Sequence, residues 1–107
     1  MAKRNKELRQ ACPFEAALDI LGGKWKGLIL FQLMKGTHRF NELKTSMPAI
    51  SSKMLTQQLR ELESHGLIIR KIYQEIPPRT EYSLTTIGKD LKIAFKHLKN
   101  WGAYFVE

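Results

Sequence analysis

Apolar residues recur at helical spacing along most of the 107-residue chain. Pro13 suits the first position of a helix, where its missing N–H leaves no bond unmade, and the apolar positions after it stop at Gly22-Gly23. A second helix is predicted over about 24–35 and closes at Gly36. Because this second helix is apolar on most of its surface, we expect it to lie in the core.

The next segment contains a short helix around 40–44, closed off by Pro48, and then a longer helix over about 51–65. Ser51 is a suitable N-cap for the longer helix, whose apolar stripe consists of Leu55, Leu59 and Leu62. Gly66 ends it, and Leu67 just beyond can fold back on the last turn. A short helix, a tight turn and a longer capped helix form the helix-turn-helix arrangement, in which the second helix enters the DNA major groove.

The face of the longer helix opposite its leucines carries hydrogen-bonding side chains and no acid. Its residues are Ser52, Lys53, Thr56, Gln57 and Arg60. Glu61 and Glu63 lie further along, where a recognition helix would already be leaving the groove. The alternative is an ordinary solvated face, but such faces usually mix glutamate with lysine at four-residue spacing.

An isoleucine-rich segment, Leu67 to Tyr73, and a second segment, Glu81 to Leu84, are predicted as the strands of a β-hairpin. The connection over 74–79 is too polar and proline-rich to pair. The hairpin would form a wing over about 67–84, with Arg79 at the tip of a stiff loop for a minor-groove or phosphate contact. A plain turn is the alternative. With Arg39 and Ser51, Arg79 completes the predicted DNA-contact set.

The last predicted helix, over about 86–105, begins at Thr85 as its N-cap and ends in an aromatic cluster. The preceding helices already supply enough apolar residues for a small core, so we expect this stripe to be buried against a second copy. Packing within the chain is the alternative. The predicted dimer interface comprises Phe14, Leu18, Leu91, Phe95, Leu98, Trp101, Tyr104 and Phe105.

These elements predict a mainly α fold with a small β-hairpin wing: a single winged helix-turn-helix domain over 12–107 that dimerises through terminal helices. Residues 1–11 are charged and aperiodic, and are expected to form a loose arm or a short helix.

The chain is basic, with 18 lysines and arginines against 10 aspartates and glutamates, for a formal net charge of +8. This excess favours a polyanionic partner, but by itself it supports a merely soluble basic protein equally well. The basic residues are spread almost evenly along the chain. Charge alone therefore does not locate a binding surface.

Cys12 is the single cysteine, so no intramolecular disulfide can form, and a reducing compartment is indicated. No signal peptide or membrane span is evident, and we expect a cytoplasmic protein. Since Cys12 precedes a helix and follows basic residues, a reactive thiol is one interpretation. A small buried apolar side chain is the other.

Catalysis is not indicated by any motif. His38, His65 and His97 are scattered, without metal-ligand spacing, and no phosphate loop, nucleophile elbow or paired carboxylates are present. We expect no metal, no cofactor and no enzymatic activity. A winged helix that binds protein or RNA rather than duplex DNA stays possible, since a fold does not fix a function.

Several motifs in fixed order resemble the HxlR-type regulators, small winged-helix proteins related to the MarR group. They are Cys12-Pro13, Leu21-Gly22-Gly23-Lys24-Trp25, Arg39-Phe40-Asn41-Glu42-Leu43, Ile50-Ser51-Ser52-Lys53-Met54-Leu55, Leu59-Arg60-Glu61-Leu62-Glu63 and the run Pro77 to Thr85. The resemblance covers about Cys12 to Trp101.

The resemblance implies a bacterial homodimer, built from terminal helices, that binds a pseudo-palindromic operator as a repressor or activator. Some members of the family sense oxidants or electrophiles through the cysteine that matches Cys12. Sensors that pair two different cysteines differ from this chain, in which only a Cys12–Cys12 bond or modification by a small thiol is available. A small-molecule or oxidant effector is consistent with this pattern.

Overall fold

The computed structural model describes residues 12–107. Its helices are α1 (Pro13–Leu21), α2 (Lys26–Leu33), α3 (Phe40–Ser46), α4 (Ser52–Ser64), α5 (Thr86–Lys89) and α6 (Leu91–Gly102), followed by a 3-10 turn, Ala103–Phe105. The strands are β1 (His38–Arg39), β2 (Ile68–Tyr73) and β3 (Arg79–Leu84). The expected arm or short helix over 1–11 lies outside the described residues.

Local sequence signals define both ends of α4. The Ser51 hydroxyl oxygen accepts the Met54 N–H at 3.0 Å, which satisfies one of the free donors of the first turn. At the other end Gly66 takes a φ of 74°, a left-handed conformation that glycine adopts without strain. The Leu67 N–H then reaches back to the Leu62 carbonyl at 3.1 Å. The helix predicted over 51–65 is therefore held at both ends by the residues expected to do so.

The sheet has three antiparallel strands in the order β1-β3-β2, instead of the predicted two-stranded hairpin. The additional strand β1 pairs His38 with Tyr82 and Arg39 with Glu81. Strand β3 also begins earlier than expected, because Arg79 pairs with Tyr73. Residues 79 and 80, predicted to lie in the loop, are thus part of the ladder, and the wing loop shortens to 74–78.

One continuous core joins the helix-turn-helix to the sheet. The buried side chains come from α2, α3, α4, β2, β3 and α6, with Leu30, Leu43, Leu55, Leu62 and Ile68 at its centre. The α4 leucines form its middle, so the position of α4 is fixed by the same contacts that hold the fold together.

The C-terminal helix is divided, whereas a single helix over 86–105 was predicted. The Thr85 hydroxyl oxygen accepts the Gly88 N–H at 3.1 Å and caps the short helix α5. Asp90 separates α5 from α6, and the last residues tighten into the 3-10 turn. Gly88 passes so close to the Leu67 carbonyl that an added Cβ would overlap its oxygen. This close approach seats α5 against Leu67, where the chain passes from α4 into β2.

Candidate nucleic-acid interface

Helix α4 presents its polar residues outward. Leu55, Leu59 and Leu62 are buried beneath it, while Ser52, Lys53, Gln57 and Arg60 are exposed and Thr56 is partly exposed. The Thr56 hydroxyl donates to the Ser52 carbonyl at 2.9 Å. The predicted contact face of α4 is therefore contiguous and accessible.

Glu61 lines this same surface, which was predicted to carry no acid, and both Glu61 and the nearby Glu63 are paired with cations. Glu61 Oε1 lies 2.7 Å from Lys26 Nζ, and Glu63 Oε2 lies 3.8 Å from Arg70 Nε on β2. Within residues 12–107 Arg60 has no carboxylate partner. The outward surface of α4 therefore keeps an available guanidinium while its neighbouring negative charges are compensated.

Lys26 was not among the predicted site residues. It is 5% exposed, and within residues 12–107 it is the one charged residue that is buried. The hydrogen bond from its ammonium lowers the pKa of the Glu61 carboxyl below the ordinary value of 4.5. The sequence did contain a signal for Lys26: it is a lysine in a helix whose other residues suit the core. A buried charge of this kind requires a partner.

Arg39 connects the sheet to the helix-turn-helix. It is exposed, ends β1 and precedes α3, and its backbone N–H donates to Glu42 Oε1 at 2.7 Å. An open cleft of about 570 Å³ separates this end of α3 from the wing, with Arg39, Asn41, Pro78 and Thr80 among its lining residues. Arg39 thus lies between the helix-turn-helix and the wing. From this position its side chain can reach a phosphate of a DNA backbone.

Arg79 is not at the tip of the wing, as predicted, but at the base of the loop. Its Nη1 lies 3.1 Å from Glu75 Oε2, its Nε lies 3.2 Å from Glu81 Oε2, and its guanidinium stacks 4.0 Å from the Tyr73 ring centroid. The side chain is 25% exposed. These contacts arise because Arg79 pairs with Tyr73 in the sheet. They hold the loop in place and partly neutralise the positive charge that was predicted to contact DNA.

Cys12 is exposed and directly precedes α1 as its N-cap. Its sulfur accepts the Glu15 N–H at 3.4 Å. A thiol in this position is accessible to a reagent from solvent, so the small buried side chain considered as an alternative does not describe it.

Exposed apolar residues occur at both ends of the described chain. Phe14 and Leu18 on α1 are exposed, as are Leu98, Trp101, Tyr104 and Phe105 toward the C-terminus. The Trp101 and Phe105 rings meet edge to face, with centroids 5.0 Å apart. Phe95 differs from its assignment to the dimer interface: it is 8% exposed and belongs to the core of its own chain, against which the partly buried Leu91 packs.

Residues 12–107 contain neither a candidate metal site nor a candidate membrane-spanning helix. Over this range no three histidine, cysteine or acidic residues come together in a way that could hold a metal ion. No helix in the same range has the length and apolar character needed to cross a membrane.

A capped recognition helix with an exposed polar face, preceded by a short helix and followed by a sheet with a wing, defines a winged helix-turn-helix DNA-binding domain. The chain belongs to the HxlR-like helix-turn-helix family, which residues 20–107 match. It is accordingly a transcriptional regulator with a MarR-like fold.

Three relatives illustrate the relationship. The chain is 50% identical over 93 residues to the HTH-type transcriptional regulator YdeP of Bacillus subtilis (strain 168), covering 87% of this chain and 73% of YdeP. It is also 50% identical over 97 residues to YkvN of the same organism, covering 91% and 82%. The solved structure of the redox regulator HypR in its reduced form superposes with a TM-score of 0.84 at 44% identity, covering 87% and 92%.

Proposed function

We propose that this regulator binds double-stranded DNA operators with sequence specificity, as a homodimer. The observation that carries the proposal is the exposed face of α4, on which Lys53, Gln57 and Arg60 are accessible while Glu61 and Glu63 are paired elsewhere. The major groove is about 12 Å wide and admits one helix, which must present hydrogen-bonding side chains to the base edges. Arg60 suits guanine and Gln57 suits adenine by their bidentate geometry.

Backbone contacts would fix the register of that helix in the groove. Ser51 and Ser52 lie at the N-terminus of α4, where free N–H groups and the helix dipole favour a phosphate. Arg39 and Lys53 are further exposed cations that can contact phosphates. Arg79 contributes to contacts with the DNA backbone indirectly, because it holds together the wing that would make them.

A two-fold pair is supported by the exposed apolar residues of α1 and of the C-terminus. A large exposed apolar patch on a small protein marks an interaction site, and a two-fold axis uses the same patch on both subunits. Two recognition helices would then read half-sites roughly 34–36 Å apart, which makes the operator pseudo-palindromic.

The direct test uses the purified full chain. Duplexes selected from a random library identify the preferred sequence, and fluorescence anisotropy then measures its affinity and that of a scrambled duplex from about 50 to 200 mM salt. We expect a steep loss of affinity with salt for both duplexes and a preference of about 10³-fold or more for the selected one. Absence of binding to any duplex at low salt, or tighter binding to single-stranded RNA, would refute the proposal.

A second proposed function is redox or electrophile sensing through Cys12. The supporting observation is that Cys12 is exposed at the start of α1, the helix that also carries the exposed Phe14 and Leu18. Oxidation of two Cys12 thiols to one inter-subunit disulfide releases two protons and two electrons, which an oxidant such as diamide accepts. A mixed disulfide with a small thiol is the alternative product.

The test compares operator titrations before and after diamide, with Cys12→Ser as the control. Non-reducing electrophoresis and mass spectrometry identify which product forms. We expect diamide to shift the wild-type curve and to leave Cys12→Ser unchanged. Identical curves for the two proteins would eliminate this second function.

A further inference from the structure

A groove between α2 and α6 combines apolar and basic residues, none of which belongs to the proposed DNA-binding surface. Its volume is about 400 Å³, its floor is apolar, with Phe31, Met34 and the buried Phe95, and Ile93 stands exposed at its edge. It shares Met34 and Lys92 with an adjoining cleft of about 300 Å³. Ligand pockets for small molecules have volumes of this order and similarly apolar walls.

Lysines surround this apolar floor. Lys92, Lys96 and Lys99 line the groove. Lys35 Nζ lies 5.3 Å and Lys99 Nζ 6.0 Å from the Phe31 ring centroid, so two ammonium groups converge on one ring. None of the groove's lining residues is acidic, and within residues 12–107 none of these four lysines forms an ion pair.

The adjoining cleft adds hydroxyl groups to the cations. Thr37 Oγ1 and Ser83 Oγ lie 3.0 Å apart at its wall, and Lys89 lines it together with Lys92. A negative group placed there would find hydroxyl donors and ammonium groups, beside a floor that favours an apolar body.

We propose that this groove binds a small amphipathic carboxylate, with its apolar part over Phe31, Ile93 and Phe95 and its carboxylate among the lysines. The charge complementarity is specific, because a neutral apolar molecule would leave the lysine rim unused and a small inorganic anion would leave the floor exposed to water. Burial of the apolar part contributes roughly 0.8 kcal/mol per methylene group.

The lysine rim of the groove faces away from the aromatic residues of the proposed dimer interface. Lys92 precedes Trp101 by nine residues on α6, about two and a half turns, so the two side chains project from opposite sides of the helix. A second copy seated on the groove would also bring two lysine-rimmed surfaces together. A small anion is the occupant that the charges favour.

Helix α2 gives the groove a physical connection to the recognition helix. Phe31 lines the groove, while Lys26 on the same helix binds Glu61 on α4. The role of the ligand as an effector rests on the proposed function, whereas binding itself is measured without DNA.

Isothermal titration calorimetry on the full chain, with octanoate and octan-1-ol as probes, tests the site. We expect octanoate to bind at least tenfold more tightly than octan-1-ol. Lys96→Gln/Lys99→Gln should lower octanoate affinity at least tenfold and leave octan-1-ol unchanged, whereas Ile93→Asp should weaken both. Lys24→Gln is the matched control, since Lys24 also lies over a ring, 4.7 Å from the Trp25 centroid, but away from the groove.

Each contrary result has a separate meaning. Equal affinity for the two probes, or no effect of the double lysine variant, overturns the carboxylate site. Dissociation of a dimer by Ile93→Asp in sedimentation assigns the groove to a second copy and also overturns it. Octanoate binding that leaves operator affinity unchanged removes the effector role, and failure of the unliganded chain to bind any operator refutes the proposed function while leaving the carboxylate site intact.

Discussion

Lys26 Nζ and Glu61 Oε1 lie 2.7 Å apart, and this ion pair joins the core helix α2 to the recognition helix α4. The lysine side chain is 6% exposed and the glutamate 24%. Glu61 lines the same outward surface as Gln57 and Arg60, two of the proposed base-reading residues. The pair therefore serves two purposes: it fixes the position of α4 on the core, and it compensates a carboxylate that would otherwise repel phosphates.

Removing the lysine should expose this double role. Lys26→Met leaves the Glu61 carboxylate without its partner, and we expect the free energy of unfolding to fall by about 1–3 kcal/mol, with weaker operator binding. Lys26→Met/Glu61→Leu should recover part of both quantities, because the unpaired charge is gone. Urea denaturation and anisotropy measure them. Lys24→Met is the control on an exposed neighbouring lysine; a double variant no better than the single would contradict the pairing argument.

The same pair predicts an acid-dependent loss of stability. Lys26 lowers the pKa of Glu61 in the folded chain below the ordinary 4.5, so the unfolded state binds the proton more readily. The stabilisation is complete above the unfolded pKa and is lost as the pH falls through the folded pKa. Urea denaturation from pH 7 to pH 3 should show this decline, and Glu61→Gln should have a shallower one. Parallel curves for the two proteins would show that Glu61 does not contribute.

Arg60 and Arg79 should differ in what they contribute to DNA binding. Arg60 is exposed and has no carboxylate partner among the described residues, so Arg60→Ala should reduce the preference for operator over scrambled duplex by about 1–3 kcal/mol. Arg79→Ala should weaken binding to both duplexes alike, because it releases Glu75 and Glu81 on the wing. Anisotropy on the two duplexes separates these effects. Equal losses on every sequence for both variants would refute the assignment of Arg60 to base reading.

The aromatic end of the chain should control association. Trp101 is 60% exposed in the single chain and contacts Phe105, and buried aromatic anchors dominate interface energetics. We expect Trp101→Glu to weaken the dimer at least tenfold in sedimentation equilibrium. Ile76→Glu, on the fully exposed wing tip, is a matched change of an apolar side chain that should leave association unaltered. Equal behaviour of the two variants would place the interface elsewhere.

Gly88 should tolerate no side chain. A Cβ there overlaps the Leu67 carbonyl oxygen, so Gly88→Ala should destabilise the chain by about 1–3 kcal/mol through displacement of α5. Gly27 on α2 is the control, since a Cβ there meets no atom within 4 Å. Gly27→Ala should be neutral or stabilising by up to about 1 kcal/mol, because alanine favours the helix. Urea denaturation compares them, and equal stabilities would contradict the close approach.

Elements defined by local signals could be predicted from the sequence. The boundaries of α4 follow from Ser51, the leucine spacing and Gly66, and each of these acts within a few residues of the helix it defines. Thr85 as a cap and Gly22 as the end of α1 belong to the same class. The winged helix-turn-helix fold followed from the order of such elements.

Features that depend on distant partners could not be predicted in this way. Strand β1 has two residues and exists because β3 pairs with it from about forty positions along the chain. Arg79 lies at the base of the wing because Tyr73 and Glu81 hold it there, and the proline pair alone indicated a longer loop. Phe95 belongs to the same stripe as Trp101 in sequence, but its own core covers it.

The pairing of β1 with β3 has a consequence for regulation. Arg39 pairs with Glu81 in the sheet, and its N–H donates a hydrogen bond to Glu42 in α3. The wing and the helix-turn-helix are therefore joined through this one residue. Each copy in the proposed dimer would therefore present α4 and the wing to DNA as one unit. We expect a signal to change the distance between the two recognition helices of a dimer. Such a change disrupts the fold less than a change in how each helix and wing fit their own half-site.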